Sequence, residues 1–204
     1  MAAAEHMRAT ARRAAAALAA LFLAAGCATT TIETSGTTLA QPLCRPGGTS
    51  VPVALYWRTQ WRPDQKEPAA REALARRGIG HFAAGAGCLA VVVAEELPAA
   101  AGVPTDAVLL ERARRDAPAA ARIVHLAIGE LGPRLVIGGP TVVEGGTEVA
   151  IDTRVIDAAT GARLADGHTR WRNGGALVIK GVGGLDHDLA EALRAVLLEG
   201  APAR

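Results

Sequence analysis

The sequence predicts an α/β fold, a two-layer sandwich in which about three helices cover a mixed sheet that ends in an antiparallel meander. Three observations support this fold class. Short apolar runs alternate with helical segments through the first half of the chain, which is typical of β-α-β units. In the second half, apolar and polar residues alternate as in strands with one buried face. The chain then closes with an apolar stripe at helical spacing.

The first β-α-β unit is predicted from three consecutive segments. Val51–Trp57 is a β-prone run, and a helix is expected from Pro68 to Arg77 because Gly78 can end it. The run Cys88–Ala94 is short and continuously apolar. Such a run is typical of a strand that is buried on both faces.

The second half of the chain is predicted to contain one more helix and then mostly strands. Thr105 is a good N-cap for the helix, which must end by Pro118. The next strand is expected over Ile123–Ile128, and a further apolar stretch covers Leu135–Ile137.

The clearest strand covers Thr147–Asp157, and a turn after it leads to a partner strand over Arg163–Trp171. A change of apolar parity in the partner strand predicts a bulge near Gly167. The apolar stripe predicts a final helix over Leu185–Glu199. The predicted order of elements is therefore β-α-β-α-β-β-β-α.

The N-terminus has the layout of a secretory signal. An uncharged apolar run over Ala14–Ala25 is too short for a mature membrane-spanning helix, which needs about 20 residues. Before it stand three arginines, Arg8, Arg12 and Arg13, and translation from Met7 would place them near the front of the signal. We expect residues 1–26 to be removed, residues 27–50, rich in Thr, Ser, Gly and Pro, to form a flexible tether, and residues 51–204 to form a single periplasmic domain.

The end of this signal resembles the lipobox of bacterial lipoproteins, in the run Leu23-Ala24-Ala25-Gly26-Cys27. The resemblance implies that the thiol of Cys27 receives a diacylglycerol group and that the new N-terminus is then acylated, for example with palmitate. It departs from the usual pattern at Ala24, where a branched aliphatic residue is common. By the same resemblance, Ala28 implies sorting to the outer membrane. The alternative is ordinary signal cleavage that leaves Cys27 unmodified.

The charge of the chain argues against a nucleic-acid partner. There are 22 Lys and Arg and 20 Asp and Glu in 204 residues, and removal of residues 1–26 takes away three arginines and one glutamate. The mature chain would then have a net charge of about zero. Phosphate binding needs a basic excess or a concentrated basic stripe.

A second resemblance covers residues 149–164, VAIDTRVIDAATGARL. The segment consists of two strands joined by an Asp-x-x-Thr-Gly turn. It is similar to an element of a group of periplasmic lipoprotein domains, which are related to the curli-secretion channel lipoprotein, the penicillin-binding-protein activators and the N-terminal domain of the Tol translocation protein. The resemblance implies a non-enzymatic domain that binds another envelope protein. The resemblance assigns no catalytic role to any residue of this sequence.

Few residues are candidates for catalysis or cofactor binding. Both serines beyond residue 26, Ser35 and Ser50, lie in the predicted tether or at its edge, which disfavours a serine nucleophile. Three possible metal ligands stand in a row as Asp186-His187-Asp188, but consecutive helical residues point about 100° apart and do not chelate one ion, so we expect no metal. The glycines at 174–175 and 181–184 match no phosphate-binding motif. We expect a flexible link there and no cofactor.

The leading functional hypothesis is a lipid-anchored accessory or scaffold protein of the envelope that binds another envelope protein and is not an enzyme. The alternative is a carboxylate-dependent hydrolase acting on cell-wall or lipid substrate. Its candidate carboxylates are Glu95, Glu96, Glu130 and Glu144. The scarcity of aromatic residues disfavours a glycan site.

Two cysteines follow Cys27, namely Cys44 and Cys88. An even pair in an oxidising compartment predicts a disulfide. The alternative is two separate thiols.

The candidate partner surface is the segment 56–62, YWRTQWR, which holds two of the three tryptophans and the only tyrosine. Trp, Tyr and Arg dominate interface hot spots. The predicted contacts are Tyr56, Trp57, Arg58, Trp61 and Arg62, with Trp171 extending the surface if its strand end is adjacent. The alternative is that the tryptophans pack in the core while the arginines are solvated.

Overall fold

A computed structural model of the chain describes residues 28–138, 142–176 and 178–200. Six strands form one sheet in the order β1-β6-β5-β4-β2-β3. The strands are β1 (Thr29–Thr37), β2 (Val51–Thr59), β3 (Leu89–Glu96), β4 (Arg122–Gly138), β5 (Val142–Asp157) and β6 (Arg163–Ala176). The helices are α1 (Pro68–Gly85), α2 (Asp106–Asp116) and α3 (Leu185–Arg194), which a π-helical turn over Ala195–Glu199 continues.

The sheet is mixed, and its two halves follow the two patterns in the sequence. Strand β2 pairs in parallel with both β3 and β4, because α1 and α2 return the chain to the same end of the sheet. The pairs β4–β5, β5–β6 and β6–β1 are antiparallel. The predicted α/β class, with a mixed sheet and a late antiparallel meander, is confirmed.

Helices pack on both faces of the sheet, so a partial third layer is added to the predicted two-layer sandwich, and each face has its own apolar cluster. On one face, α1 and α3 bury residues such as Leu126, Ile151 and Leu189. On the other face, α2 packs over β2 and β4 and buries Tyr56 and Leu109. Because α2 covers only this part of its face, most of β5, β6 and β1 presents an uncovered surface there.

The predicted tether is wrong for residues 29–37, which form the edge strand β1. Ile32 pairs with Trp171 of β6, and both contribute to the apolar cluster beneath α3. The segment is rich in threonine, whose β-branched side chain suits a half-buried strand. Its low hydrophobicity concealed this tendency. The predicted signal and Cys27 lie outside the described residues.

Helix α1 continues past its predicted end to Gly85, and Gly78 is buried in its interior. A Cβ atom on Gly78 would lie 2.8 Å from the carbonyl oxygen of Asp186 and 2.9 Å from Cδ2 of Leu189. Gly78 therefore allows α3 to approach α1 closely and does not act as a C-terminal stop.

Two details of the meander also differ from the predictions. The register between β5 and β6 shifts at Leu164, so the bulge lies there and not near Gly167. At Gly167 a Cβ would lie 2.8 Å from the carbonyl oxygen of Ser35, so this glycine serves the close approach of β1. The predicted flexible link begins later than expected, since residues 174–175 belong to β6.

Cys44 and Cys88 form the predicted disulfide, with their Cα atoms 5.8 Å apart. Both residues are buried. The bond joins the segment after β1 to the residue that precedes β3. None of the helices in the described part of the chain combines the length and apolar character needed to span a bilayer.

Candidate functional site

The predicted aromatic partner surface does not form, because most of its residues are inside the protein. Tyr56, Trp57 and Arg58 lie on the central strand β2 and are 0%, 3% and 6% exposed. Trp171 is buried on β6. Strand β2 lies between β3 and β4, with α1 packed on one face and α2 on the other. Its consecutive side chains, which point to alternate faces, are therefore buried on both sides of the sheet.

The segment reaches the surface only after β2 ends. Trp61 is half-buried and packs against the cluster beneath α1 and α3. The Arg62 side chain is 65% exposed, and its Nη2 lies 3.2 Å from Oε2 of Glu130. Of the six predicted contact residues, Arg62 is the one that the structure leaves well exposed.

A network of charged side chains occupies the uncovered part of the sheet. Glu148 lies at its centre: its carboxylate oxygens are 3.1 Å from Nε of Arg170 and 2.9 Å from Nε of Arg172. Nε of Arg134 approaches the same carboxylate at 3.5 Å, and Nη1 of Arg172 is 3.2 Å from Oε1 of Glu33 on β1. These five residues, on four adjacent strands, are called the charged face below. Sequence reasoning missed them because arginines and acids are scattered along the chain and meet only through strand pairing.

A cleft of about 380 Å³ lies beside the charged face, between the sheet and the segment before α2. It is lined by His125, Asp152, Arg154 and His168, among others. Arg154 Nη1 donates to Oδ1 of Asp106 at 3.1 Å, and His168 Nδ1 lies 2.7 Å from Oδ1 of Asp152. The cleft therefore presents both signs of charge.

His125 is buried at the floor of this cleft, and within the described residues its Nε2 has no hydrogen-bond partner. Burial, reinforced by the nearby Arg154 and Arg58 guanidinium groups, lowers the pKa of His125 to about 4. The imidazole is therefore neutral at pH 7. It can exchange hydrogen bonds there but has no positive charge to offer a ligand.

Ser35, His168 and Asp152 occupy neighbouring positions on β1, β6 and β5, an order that invites comparison with a hydrolytic triad. Both His168 and Asp152 are substantially exposed. No hydrogen bond joins Ser35 to His168 among the described side chains. A nucleophile needs a base within hydrogen-bond reach, and the transition state needs donors aimed at the developing oxyanion. The arrangement supplies neither.

The carboxylates of the alternative hydrolase hypothesis do not converge. Each one already faces an arginine, in the pairs Glu95–Arg112, Glu96–Arg76, Glu130–Arg71 and Glu144–Arg134. Glu130 and Glu144 line two different clefts, and neither cleft is lined by any of the other three candidate carboxylates. A hydrolase needs two carboxyl groups that flank one bond. These four side chains do not provide that geometry.

Of the consecutive residues Asp186, His187 and Asp188, only Asp188 turns away from the other two, so the expectation that helical neighbours do not converge is wrong for Asp186 and His187 in the first turn of α3. Asp188 accepts a hydrogen bond from Oγ1 of Thr147 at 2.6 Å and so ties α3 to β5. Asp186 and His187 instead face His81 of α1. Sequence reasoning missed His81, which stands more than 100 residues away along the chain.

The sequence matches no protein-family model and no curated protein. Solved structures with a similar chain path include the PelC dodecamer from Paraburkholderia phytofirmans, with a TM-score of 0.41 and 17% identity over 83% of this chain and 99% of that chain. Lipoprotein GNA1162 from Neisseria meningitidis has a TM-score of 0.35 and 19% identity over 72% and 95% of the two chains. Protein XCC0632 from Xanthomonas campestris has a TM-score of 0.36 and 12% identity over 80% and 89%.

Proposed function

We propose that this chain is a lipid-anchored accessory protein of the bacterial cell envelope, which binds another envelope component and catalyses no reaction. The observation that carries the proposal is the N-terminal sequence, in which a basic segment, a short apolar run and Cys27 follow one another in the order of a lipoprotein signal. The lipid would hold the domain on the periplasmic side of the membrane. Ala28 favours the outer membrane.

The position of β1 supports this anchor and suggests an orientation. Strand β1 begins at Thr29, two residues after Cys27, so their Cα atoms are at most about 8 Å apart. Thr29 pairs with Gly174, which pairs with Gly146, and Gly146 pairs with Arg134. This row marks the end of the sheet that would lie next to the membrane.

The same end of the sheet carries exposed aliphatic side chains. Leu135 and Ile137 extend β4 beyond the row, and Ile179 and Val182 follow the end of β6; all four are highly exposed. Exposed apolar residues close to a lipid anchor would bury further area in the membrane interface and so strengthen the attachment. This supports an orientation with the sheet end towards the bilayer.

The charged face is the surface that we assign to the protein partner. It begins at the anchored end of the sheet with Arg134 and extends along the strands as far as Glu33 and Arg170, and its side chains carry both signs of charge at partly exposed positions. Complementary charges steer association and fix register between two proteins. Arg62, beside Glu130 and near Arg134, extends this surface at its rim.

The anchor is tested with Cys27→Ser, which removes the acceptor thiol. The parent should fractionate with membranes, and mass spectrometry of its N-terminal peptide should show a lipidated cysteine. The variant should be soluble or unprocessed. Equal membrane partitioning and equal processing of the two proteins would refute the lipoprotein assignment.

The partner surface is tested by site-specific photocrosslinking in intact cells. A photoreactive amino acid at position 31, an exposed residue of β1 that pairs with Arg172, should give a discrete crosslinked protein that is weakened by Arg170→Glu, while the same probe at position 115, on exposed α2, should not. Arg62→Ala and Trp61→Ala separate binding from folding. We expect Trp61→Ala to lower stability, since Trp61 packs on the core, and Arg62→Ala to reduce crosslinking only. Equal crosslinking from both probe positions would refute the assignment.

A further inference from the structure

Three side chains with metal-binding atoms meet where α1 and α3 touch. They are His81 on α1 and the neighbouring Asp186 and His187 in the first turn of α3. One ligand atom from each residue lies within 4.8 Å of the other two. The two imidazole rings are stacked, with centroids 4.6 Å apart and planes inclined by 23°. Both rings are exposed, and one of them must rotate for their in-plane nitrogen lone pairs to meet at a single ion. His81 Nε2 lies 3.5 Å from Oδ2 of Asp186.

The backbone on both sides of this cluster is fixed by close packing. Gly78 stands one helical turn before His81, on the same side of α1. At Gly78 the carbonyl oxygen of Asp186 comes so near that a Cβ would lie only 2.8 Å from it. The contact that requires a glycine therefore also sets His81 opposite Asp186. The Asp186 side chain is 14% exposed, which limits its freedom further.

The present partner of Asp186 is Arg77, whose Nε lies 3.3 Å from the same carboxylate oxygen, Oδ2, that faces His81. The Arg77 side chain is 56% exposed and can move into solvent at little cost. A cation that binds Asp186 would take the place of this guanidinium group. Arg77 and a metal ion are therefore expected to compete.

We propose that His81, Asp186 and His187 form a binding site for a divalent transition metal of the zinc class. Two imidazole nitrogens and one carboxylate oxygen are a usual zinc ligand set, with water completing the coordination. Magnesium and calcium prefer sites made entirely of oxygen ligands. Cys44 and Cys88 do not compete for the metal because they are joined in a disulfide. Bound metal links α3 to α1 and so fixes the C-terminal helix on the domain.

The test is titration of purified, untagged protein in detergent solution with Zn²⁺, followed by calorimetry and by thermal unfolding. We expect one site per chain, a rise in Tm with Zn²⁺ and no competition from Mg²⁺. His81→Ala and His187→Ala should each weaken Zn²⁺ binding by at least tenfold. Arg77→Ala should strengthen it, since that variant removes the competing guanidinium group.

Matched controls separate this site from general histidine chemistry. His168→Ala removes another exposed histidine that faces an aspartate, and its Zn²⁺ affinity should equal that of the parent. Each variant is first compared with the parent without metal, where equal Tm values show an intact fold. If a histidine variant unfolds early, Asp186→Asn serves in its place and should also lose affinity. Absence of saturable one-site binding, or equal affinity in His81→Ala, His187→Ala and the parent, overturns the proposal.

Discussion

Removing the disulfide by the double substitution Cys44→Ala/Cys88→Ala should lower the stability of the domain considerably. The bond joins residues 44 positions apart in sequence, and both half-cystines are buried, at 6% and 7% exposure. It connects the chain between β1 and β2 to the start of β3. Alanine leaves only a small void at each position, so the main effect is loss of the cross-link.

The expected magnitude follows from the length of the closed loop. A cross-link reduces the entropy of the unfolded chain, and for a loop of about 45 residues the chain-entropy relation gives about 4 kcal/mol at 25 °C. Whole domains are stable by about 5–15 kcal/mol, so the double variant should lose a large share of its stability.

Urea unfolding, followed by circular dichroism, measures this loss. The reduced parent should unfold at about the same urea concentration as the double variant, and reductant should leave the double variant unchanged. A loss below about 1 kcal/mol would contradict the argument, since that would be well under the loop-closure value. Two titratable thiols in the non-reduced parent would contradict it as well.

The helix contact, the hairpin turn and the buried histidine each provide another test. Gly78→Ala should lower the free energy of unfolding by about 1–3 kcal/mol, because its Cβ would crowd Asp186 and Leu189. Gly80→Ala is the matched control, since a Cβ at that position on the same helix meets nothing within 4 Å. Equal losses in the two variants would contradict the packing argument. Gly161→Ala should cost about 1–2 kcal/mol in the same assay, because Gly161 has a φ of 73°; an unchanged midpoint would show that the turn tolerates a side chain. Burial lowers the pKa of His125 from 6.5 to about 4, so its neutral form stabilises the fold above pH 6.5 and that contribution is lost as the pH falls towards 4. His125→Leu should therefore lose less stability than the parent between pH 7 and 4, and parallel pH profiles would refute this assignment.

Much of the fold could be predicted because its signals are local. The continuous apolar run before Glu95 and the alternation in Thr147–Asp157 distinguish the parallel half of the sheet from the antiparallel half. The expectation that the apolar run is buried on both faces is wrong, because β3 is the edge strand of the sheet and exposes every second residue, with Val92 at 47%. Strand β1 was missed because its threonines, serine and glycine also suit a linker, and only pairing with β6 makes them a strand. The role of Gly78 was misassigned for a related reason. A glycine that ends a helix and one that admits a neighbouring helix look alike until the neighbour is known.

The candidate sites were harder to predict, because they depend on which strands and helices become neighbours. The predicted partner surface is wrong for Tyr56, Trp57 and Arg58, which stand on the central strand β2 and are used for packing. Glu148 gains its arginine partners through the register of β5 with β4 and β6. His81 reaches Asp186 only through the packing of two helices far apart in sequence. None of these contacts has a short-range pattern.

If Cys27 is the lipid anchor that we propose, β1 and the disulfide together would determine how far the domain stands from the membrane under tension. If β1 separated from β6, only the segment before Cys44 would be released, because the disulfide to Cys88 holds the chain to the sheet at that point. The segment from Ala28 to Cys44 spans about 60 Å when fully extended. With Cys27 as the proposed lipid anchor, the paired segment would hold the sheet close to the bilayer, and the released segment would act as a tether of fixed length. The other five strands would keep their pairing with one another in either state, so the domain would reach further without loss of its core.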